Sequence, residues 1–253
     1  EAHRRGMVVP DRVRREPGSD PAAGAYVAYP KKGLQDWIGS IDINSLYPSV
    51  IRALNMAPET IIGQLRQTLT ESTIEERMHV EKKSFAGAWE GEFGSLEYQA
   101  VMRKDRAQSI TIDWETGESN ILSAAEVYEL IFNNDQPWML SANGTIFTHE
   151  FAGVIPGLLE RWYSERKELQ AKRKKAIDAG NAVETAFWDK RQLVKKINLN
   201  SLYGAILNPG CRFFDTRIGQ STTLTGRCIT KHMASKTNEI ICGDYDYRGQ
   251  SII

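Results

Sequence analysis

The chain has no apolar run long enough to cross a bilayer, so no helical membrane anchor is expected within its 253 residues. Its first residues do not read as a secretory signal. Cysteine is scarce. Cys211, Cys228 and Cys242 have neither zinc-ligand spacing nor a disulfide framework, so free thiols in a reducing cytoplasm are expected. Histidine is scarce too, and His79 and His149 stand alone, as structural or surface residues do. Internal repeats and low-complexity tracts are absent. Net charge is also lacking, with 32 basic against 32 acidic residues, so there is no overall pull toward nucleic acid. The charge is nevertheless uneven. Residues 61–150 carry 7 basic and 15 acidic side chains, whereas 161–196 carry 11 basic and 5 acidic. The second stretch suggests a local anionic partner, or else a solvated helix face.

Residues 1–24, rich in Arg, Pro and Gly, read as an irregular approach segment. Short strands are expected at 25–30 and 37–43. A helix follows at 45–54, with Pro48 tolerated in its first turn. Residues 60–150 read as mixed α/β. Within them, 109–114 is strand-like and ends at Glu115-Thr116-Gly117. Ser123 is placed to cap a helix over 124–132, and 138–147 reads as a hairpin on an Asn143-Gly144 turn. The formal glycosylation sequon at Asn143-Gly144-Thr145 is more simply that turn. From 155 the period becomes helical, with Ile155, Leu158, Leu159, Trp162, Tyr163 and Leu169 on one face. Asp178-Ala179-Gly180-Asn181 breaks the helix, and Asn181 with Glu184 suggests a capping box for a second one. The result is an antiparallel pair of long helices, closed by Asn208-Pro209-Gly210. A last helix is expected from about Thr222 to Ile241. The fold class is α+β.

Two short blocks carry the chemistry. Asp42-Ile43-Asn44-Ser45-Leu46-Tyr47-Pro48-Ser49 puts a carboxylate at the end of the apolar run from Trp37 and then enters a helix. Such a charge is costly beside a core unless it is paired or binds a metal. In Lys196-Ile197-Asn198-Leu199-Asn200-Ser201-Leu202-Tyr203-Gly204, the residues Lys196, Asn200 and Tyr203 are spaced by four and three and so share a helix face. That face can hold phosphates at one end and stack on a base pair at the other. Together the blocks resemble motifs A and B of family B DNA polymerases, most closely those of T-even-like phages.

The resemblance implies nucleotidyl transfer assisted by two Mg2+ ions, about 3.5–4 Å apart in such sites. Asp42 would be the catalytic carboxylate bridging both metals, and the Ile43 carbonyl a further metal ligand. Ser45 and Leu46 would contact the triphosphate through backbone amides, which suit phosphate at a helix start. Tyr47 falls where the family places the ring that excludes a 2′-hydroxyl. Lys196 and Asn200 would meet the triphosphate, and Tyr203 would pack against the nascent base pair. Gly204 would let the backbone approach closely. Glu165-Arg166-Lys167-Glu168 matches the family's phosphate-clamping arginine at Arg166. The family's lysine one turn later is Gln170 here, with Arg173 and Lys174 either compensating or forming a charged face. The plainer alternative is an Asp that caps a helix, a Tyr that fills a core and a solvated Lys.

The family's further carboxylate comes from a D-T-D hairpin. Asp244-Tyr245-Asp246 is not read as that hairpin, because a helix rather than a strand leads into it and the apolar strand begins only at Gln250. The implied organisation is a first palm part with motif A at 1–61 and an α/β insertion within the palm at 62–150. Fingers with the motif B helix follow at 151–208, and the palm continues at 209–253, ahead of the D-T-D hairpin. The implied activity is template-directed DNA synthesis, with this chain inactive alone. Its partners would be primer-template DNA, a deoxynucleoside triphosphate and a C-terminal segment bearing thumb and D-T-D hairpin, in cis or as a separate chain. A sliding clamp would serve the full enzyme. The compartment would be the cytoplasm, that of a host if the gene is phage-borne. The rival reading is a non-catalytic nucleic-acid-binding remnant, whose salt-dependent DNA binding would be indifferent to Asp42→Ala.

Overall fold

The computed structural model describes residues 1–9, 11, 25–26, 32–34, 36, 38–67, 79–80, 82, 106–107, 109–133, 135–208 and 210–243. Most of the strand expected at 25–30, Trp37, the Asp244-Tyr245-Asp246 segment and the strand expected at 250–253 lie outside these residues.

Five helices are described: α1 (Leu46–Ala53), α2 (Ala124–Tyr128), α3 (Val154–Asp178), α4 (Ala182–Ile206) and α5 (Thr216–Cys242). The strands are β1 (Ile61–Gln67), β2 (Ser109–Trp114), β3 (Ser119–Ser123), β4 (Trp138–Leu140) and β5 (Thr145–Thr148), forming one antiparallel sheet in the order β3-β2-β1-β5-β4. The α+β expectation holds.

Local chemistry accounts for most boundaries. The turn between β2 and β3 closes through the Gly117 N–H to the Trp114 carbonyl, with Gly117 at φ 88°. At the tip between β4 and β5, the Ser141 N–H donates to the Thr145 carbonyl and the Gly144 N–H to the Ser141 carbonyl, with Gly144 at φ 80°. That is a three-residue loop ending in a left-handed glycine, rather than a two-residue turn. Ser123 and Glu126 complete a reciprocal capping box on α2, which runs on as a π-helical turn over Glu129–Asn133. Between α3 and α4, the Asn181 N–H reaches back to the Ala176 carbonyl and the Gly180 N–H to that of Ile177, with Gly180 at φ 67°. This is a Schellman closure. Asn181 then caps α4 by accepting from the Glu184 N–H at 3.1 Å.

Two expectations fail. Residues 38–43 are irregular and largely exposed, with Ile38 at 81% and Ile41 at 61%. A strand exists only through a neighbour's hydrogen bonds, and among the described residues nothing pairs with this segment. The last helix begins at Thr216, six residues before the expected start, because Asp215 caps it by accepting from the Arg217 N–H at 2.8 Å.

Two cores result. One joins Val50 and Ile51 of α1 to Met56, Phe147, Ile155, Leu159, Leu199, Ile206 and Ile218. Each such side chain contributes roughly 1.5–3 kcal/mol by leaving water. The other packs α2 on the sheet through Leu65, Ile110, Ile112, Val127 and Ile146. A bulge between Ile61 and Gly63 separates the two. Ile61 and Leu65, four apart on one strand, would otherwise share a face, yet they enter different cores. The tip between β4 and β5 docks on α5 through polar groups. The Ser221 hydroxyl donates to Asn143 Oδ1 at 2.7 Å, and Asn143 Nδ2 donates to the Arg217 carbonyl at 3.2 Å. Asn143 is buried, with both its amide oxygen and its amide nitrogen hydrogen-bonded, so the sequon is a structural turn.

Asn55 locks α1 to the start of α3. It lies at φ 53° and is 4% exposed. Its Nδ2 donates to the carbonyls of Thr148 (2.7 Å) and Phe151 (2.8 Å), and its Oδ1 accepts from the Gly153 N–H at 2.9 Å. Glu59 completes the arrangement by accepting from the Val154 N–H at 2.6 Å, which caps α3 from outside. Asn55→Ala loses three hydrogen bonds and puts a Cβ-bearing residue without polar compensation in the left-handed region. It is expected to destabilise the chain by about 3 kcal/mol or more, read as a lower urea midpoint. Asn55→Gly should recover only the backbone part; full recovery by glycine would mean that the side-chain bonds contribute nothing.

Candidate functional site

Helix α1, the loop before it and the facing surfaces of α3 and α4 enclose a pocket of about 400 Å³. Asp42, Ile43, Asn44, Ser45, Leu46, Tyr47 and Pro48 form one wall, and Arg166, Lys196 and Asn200 the other. Eight residues singled out from the sequence, drawn from three separate stretches, therefore meet at one place. Asn44 and Pro48 were not anticipated as lining residues; they follow from the path of the chain into α1.

The helix start has a special backbone. Ser45 precedes α1 at φ 54° and ψ 47°, a left-handed conformation that costs a non-glycine residue about 1–2 kcal/mol. Its hydroxyl turns to Asn44 Oδ1 at 3.3 Å and does not cap the helix. The N–H groups of Leu46 and Tyr47, in the first turn, have no intrahelical acceptor by construction. Asp42 is exposed and lies before the N-cap position, which Ser45 occupies, so the reading of Asp42 as a helix cap fails.

The opposite wall is cationic. Arg166 is half-buried, and its Nε donates to Gln192 Oε1 at 3.3 Å. Gln192 Nε2 donates to Asp189 Oδ1 at 3.2 Å. Arg173 Nε lies 2.9 Å from the same carboxylate, as an ion pair rather than an aligned hydrogen bond. This series of contacts holds Arg166 across the two helices and gives Arg173 a structural partner away from the pocket. Lys196 and Asn200 are exposed one turn apart on α4. One carboxylate against two cations leaves the pocket suited to an anionic ligand.

Tyr203 does not line the pocket; it backs Tyr47, with ring centroids 4.6 Å apart and planes at 47°. Burial pushes the Tyr47 phenol up, while the nearby Arg227 pulls it down. Burial pushes Tyr203 up to about 12, with the Tyr47 phenol adding and a hydrogen bond with Thr223 opposing. The folded value exceeds that of an unfolded tyrosine, near 10. Tyr203 therefore contributes stability that is complete below about pH 10 and is lost as pH rises toward 12. Tyr203→Phe should flatten the fall of the urea midpoint across that window; an unchanged slope would show that the phenol does not titrate in this way. Gly204 is exposed, and a Cβ built there meets nothing within 4 Å, so nothing in the described protein requires glycine at that position.

Outside the pocket, Cys211 and Cys228 are thiols, and His79 and His149 are exposed. Among the described residues no helix is long and apolar enough to cross a membrane. No group of three or more His, Cys, Asp or Glu among them could hold a metal. Asp42 and the Ile43 carbonyl offer the oxygen donors that magnesium prefers, but one carboxylate is too few for a two-metal centre.

A cationic, tyrosine-backed pocket at a helix start, clamped by a helical hairpin on an α+β frame, has the charge to suit an anionic ligand. The comparisons narrow the class. The model for DNA polymerase family B matches residues 1–249, and the chain belongs to that family. It is 26% identical over 234 residues to the DNA-directed DNA polymerase of Enterobacteria phage T4, a match covering 88% of this chain and 25% of the relative. It is 25% identical over 250 residues to DNA polymerase 2 of Aeropyrum pernix, covering 97% of this chain and 23% of that one. Among solved structures it is similar to the family B DNA polymerase of Pyrobaculum calidifontis, with a TM-score of 0.54 and 20% identity, covering 97% of this chain and 23% of the other. The chain thus spans about a quarter of the length of these relatives.

Proposed function

We propose that the chain is the nucleotide-binding part of a replicative DNA polymerase, adding deoxynucleotides to a primer 3′-hydroxyl on a DNA template. The observation that carries this reading is the single pocket uniting Asp42, Ser45, Leu46 and Tyr47 with Arg166, Lys196 and Asn200. In this reading the helix pair α3–α4 is the fingers, within 151–208. Residues 1–61 and 209–253 belong to the palm, and 62–150, which hold all of the sheet but Ile61, are an insertion in it.

Each residue then has a task. Arg166 and Lys196 bind the triphosphate, Arg166 through its planar fork and Lys196 as a point charge. The amides of Ser45 and Leu46 donate to it at the helix start, where anions are favoured. Asn200 adds a polar contact. Tyr47 forms the sugar-side wall and restricts the space for a 2′-hydroxyl, while Tyr203 supports that wall and faces the nascent base pair. Asp42 and the Ile43 carbonyl would supply part of the ligand set for magnesium, which would polarise the reacting oxygens when bound. The remaining carboxylates would come from the family's D-T-D hairpin.

The chain is expected to be inactive alone and to extend a primer when joined, in cis or in trans, to a family segment bearing the D-T-D hairpin and thumb. The test is primer extension with deoxynucleoside triphosphates and magnesium, with and without that segment. Magnesium-dependent extension only in its presence supports the reading. DNA binding without extension in either case, unaffected by Asp42→Ala, would replace it with the non-catalytic binding module.

A further inference from the structure

Gly226 sits within α5 where the ring of Tyr47 lies against the helix. A Cβ added there would stand 2.8 Å from Tyr47 Cε1, 3.3 Å from its Cδ1 and 3.7 Å from Leu46 Cδ2. The first distance is shorter than real Cβ contacts allow, so the ring would have to move. Glycine weakens a helix interior, and Gly226 is absent from the positive-φ positions, so close approach rather than backbone conformation accounts for it.

The rest of α5 fits the same purpose. Ile218, Thr222 and Gly226 fall four apart on one face. Ile218 is buried in the core shared with α1. The Thr222 hydroxyl reaches Met56 Sδ at 3.5 Å, and Gly226 receives Tyr47. One residue after Thr222, Thr223 neighbours the Tyr203 phenol. Helix α5 thus supports both tyrosines from behind, although it contributes no residue to the pocket lining. Tyr203, 4.6 Å away, and the pocket lie on the sides toward which the Tyr47 ring would be pushed from α5.

We propose that Gly226 is a positioning residue for the incoming nucleotide: by carrying no side chain it sets how far the Tyr47 ring intrudes on the sugar end of the pocket. This rests on the reading of that pocket as the deoxynucleotide site. A methyl group at 226 moves the wall toward the sugar and leaves Asp42, Arg166 and Lys196 in place. Nucleotide binding should suffer and the chemical step should not.

The test is steady-state primer extension by the polymerase completed with the D-T-D segment. Gly226→Ala is expected to raise the KM for a deoxynucleoside triphosphate by about five-fold or more, with kcat within about two-fold. In a Tyr47→Ala background there is no ring to displace, so the same substitution should change KM by less than about two-fold. An unchanged KM with Tyr47 present, or an equal rise in both backgrounds, overturns the proposal. If Gly226→Ala impairs folding, urea unfolding decides between the two: relief of the loss by Tyr47→Ala supports the contact, and equal loss with and without Tyr47 overturns it. Absence of extension by the unsubstituted assembly would overturn the polymerase reading itself and with it any nucleotide role for Gly226, a result distinct from failure of Gly226→Ala alone.

Discussion

Replacing Asp42 with alanine should abolish primer extension by the completed polymerase, by a factor of about 10³ or more, while leaving the chain's stability nearly unchanged. The two halves of this expectation come from different observations. Asp42 is exposed in an irregular segment, and substitutions at such positions usually stay within about 0.5 kcal/mol. It is also the one acidic side chain in the wall of a pocket that otherwise offers cations, amides and a tyrosine. A lone carboxylate facing two positive groups lowers the affinity for a triphosphate, so its presence needs a chemical reason, and cation binding supplies one. Asp42→Asn sharpens the test, since it keeps the shape and removes the charge. Both variants should melt with the parent chain and fail to extend a primer. Undiminished extension by either would remove Asp42 from the chemistry. Loss of activity accompanied by a lower melting temperature would assign it a structural role instead.

The parts of the fold legible in the sequence were those set by local chemistry. Gly180 and Asn181 specify the turn between α3 and α4 by themselves: one adopts the left-handed conformation, and the other closes the first helix and caps the second. Ser123 with Glu126 does the same for α2. What was not legible depends on distant groups. The segment 38–43 has strand composition, but composition cannot supply a hydrogen-bonding neighbour. The first turns of α5 are rich in Thr, Ser and Gly, which favour a helix poorly; they are held by Asp215 and by contacts of Ser221 and Thr222 with other elements. In the site, the two motifs named most of the lining residues because their spacing fixes a helix face and a helix start. Gln192, which steadies Arg166, and Gly226, which receives Tyr47, carry no signal in a single sequence. Their roles exist only once α3 meets α4 and α1 meets α5.

Lys196→Ala should weaken deoxynucleoside triphosphate binding by about 10- to 100-fold, with a smaller effect on kcat. A charge-assisted hydrogen bond to phosphate is worth roughly 1.5–3 kcal/mol, which corresponds to that range. The exposure of Lys196 sets the lower end, because solvent and salt screen an exposed charge. Arg166 should behave differently. It is half-buried and held by Gln192, so Arg166→Lys keeps the charge but loses the planar fork, and it should still cost about ten-fold. Lys174 provides the control. It is an exposed lysine on α3 that does not line the pocket, and Lys174→Ala should alter binding by less than about two-fold. Removing either lysine lowers the net charge by one. A difference between Lys196 and Lys174 therefore reports position. Titration of the chain with a deoxynucleoside triphosphate at low and moderate salt makes the comparison. Equal losses for the two lysines would mean that the basic stretch 161–196 acts as a diffuse field rather than as a clamp, and the assignment of Lys196 to the triphosphate would fall.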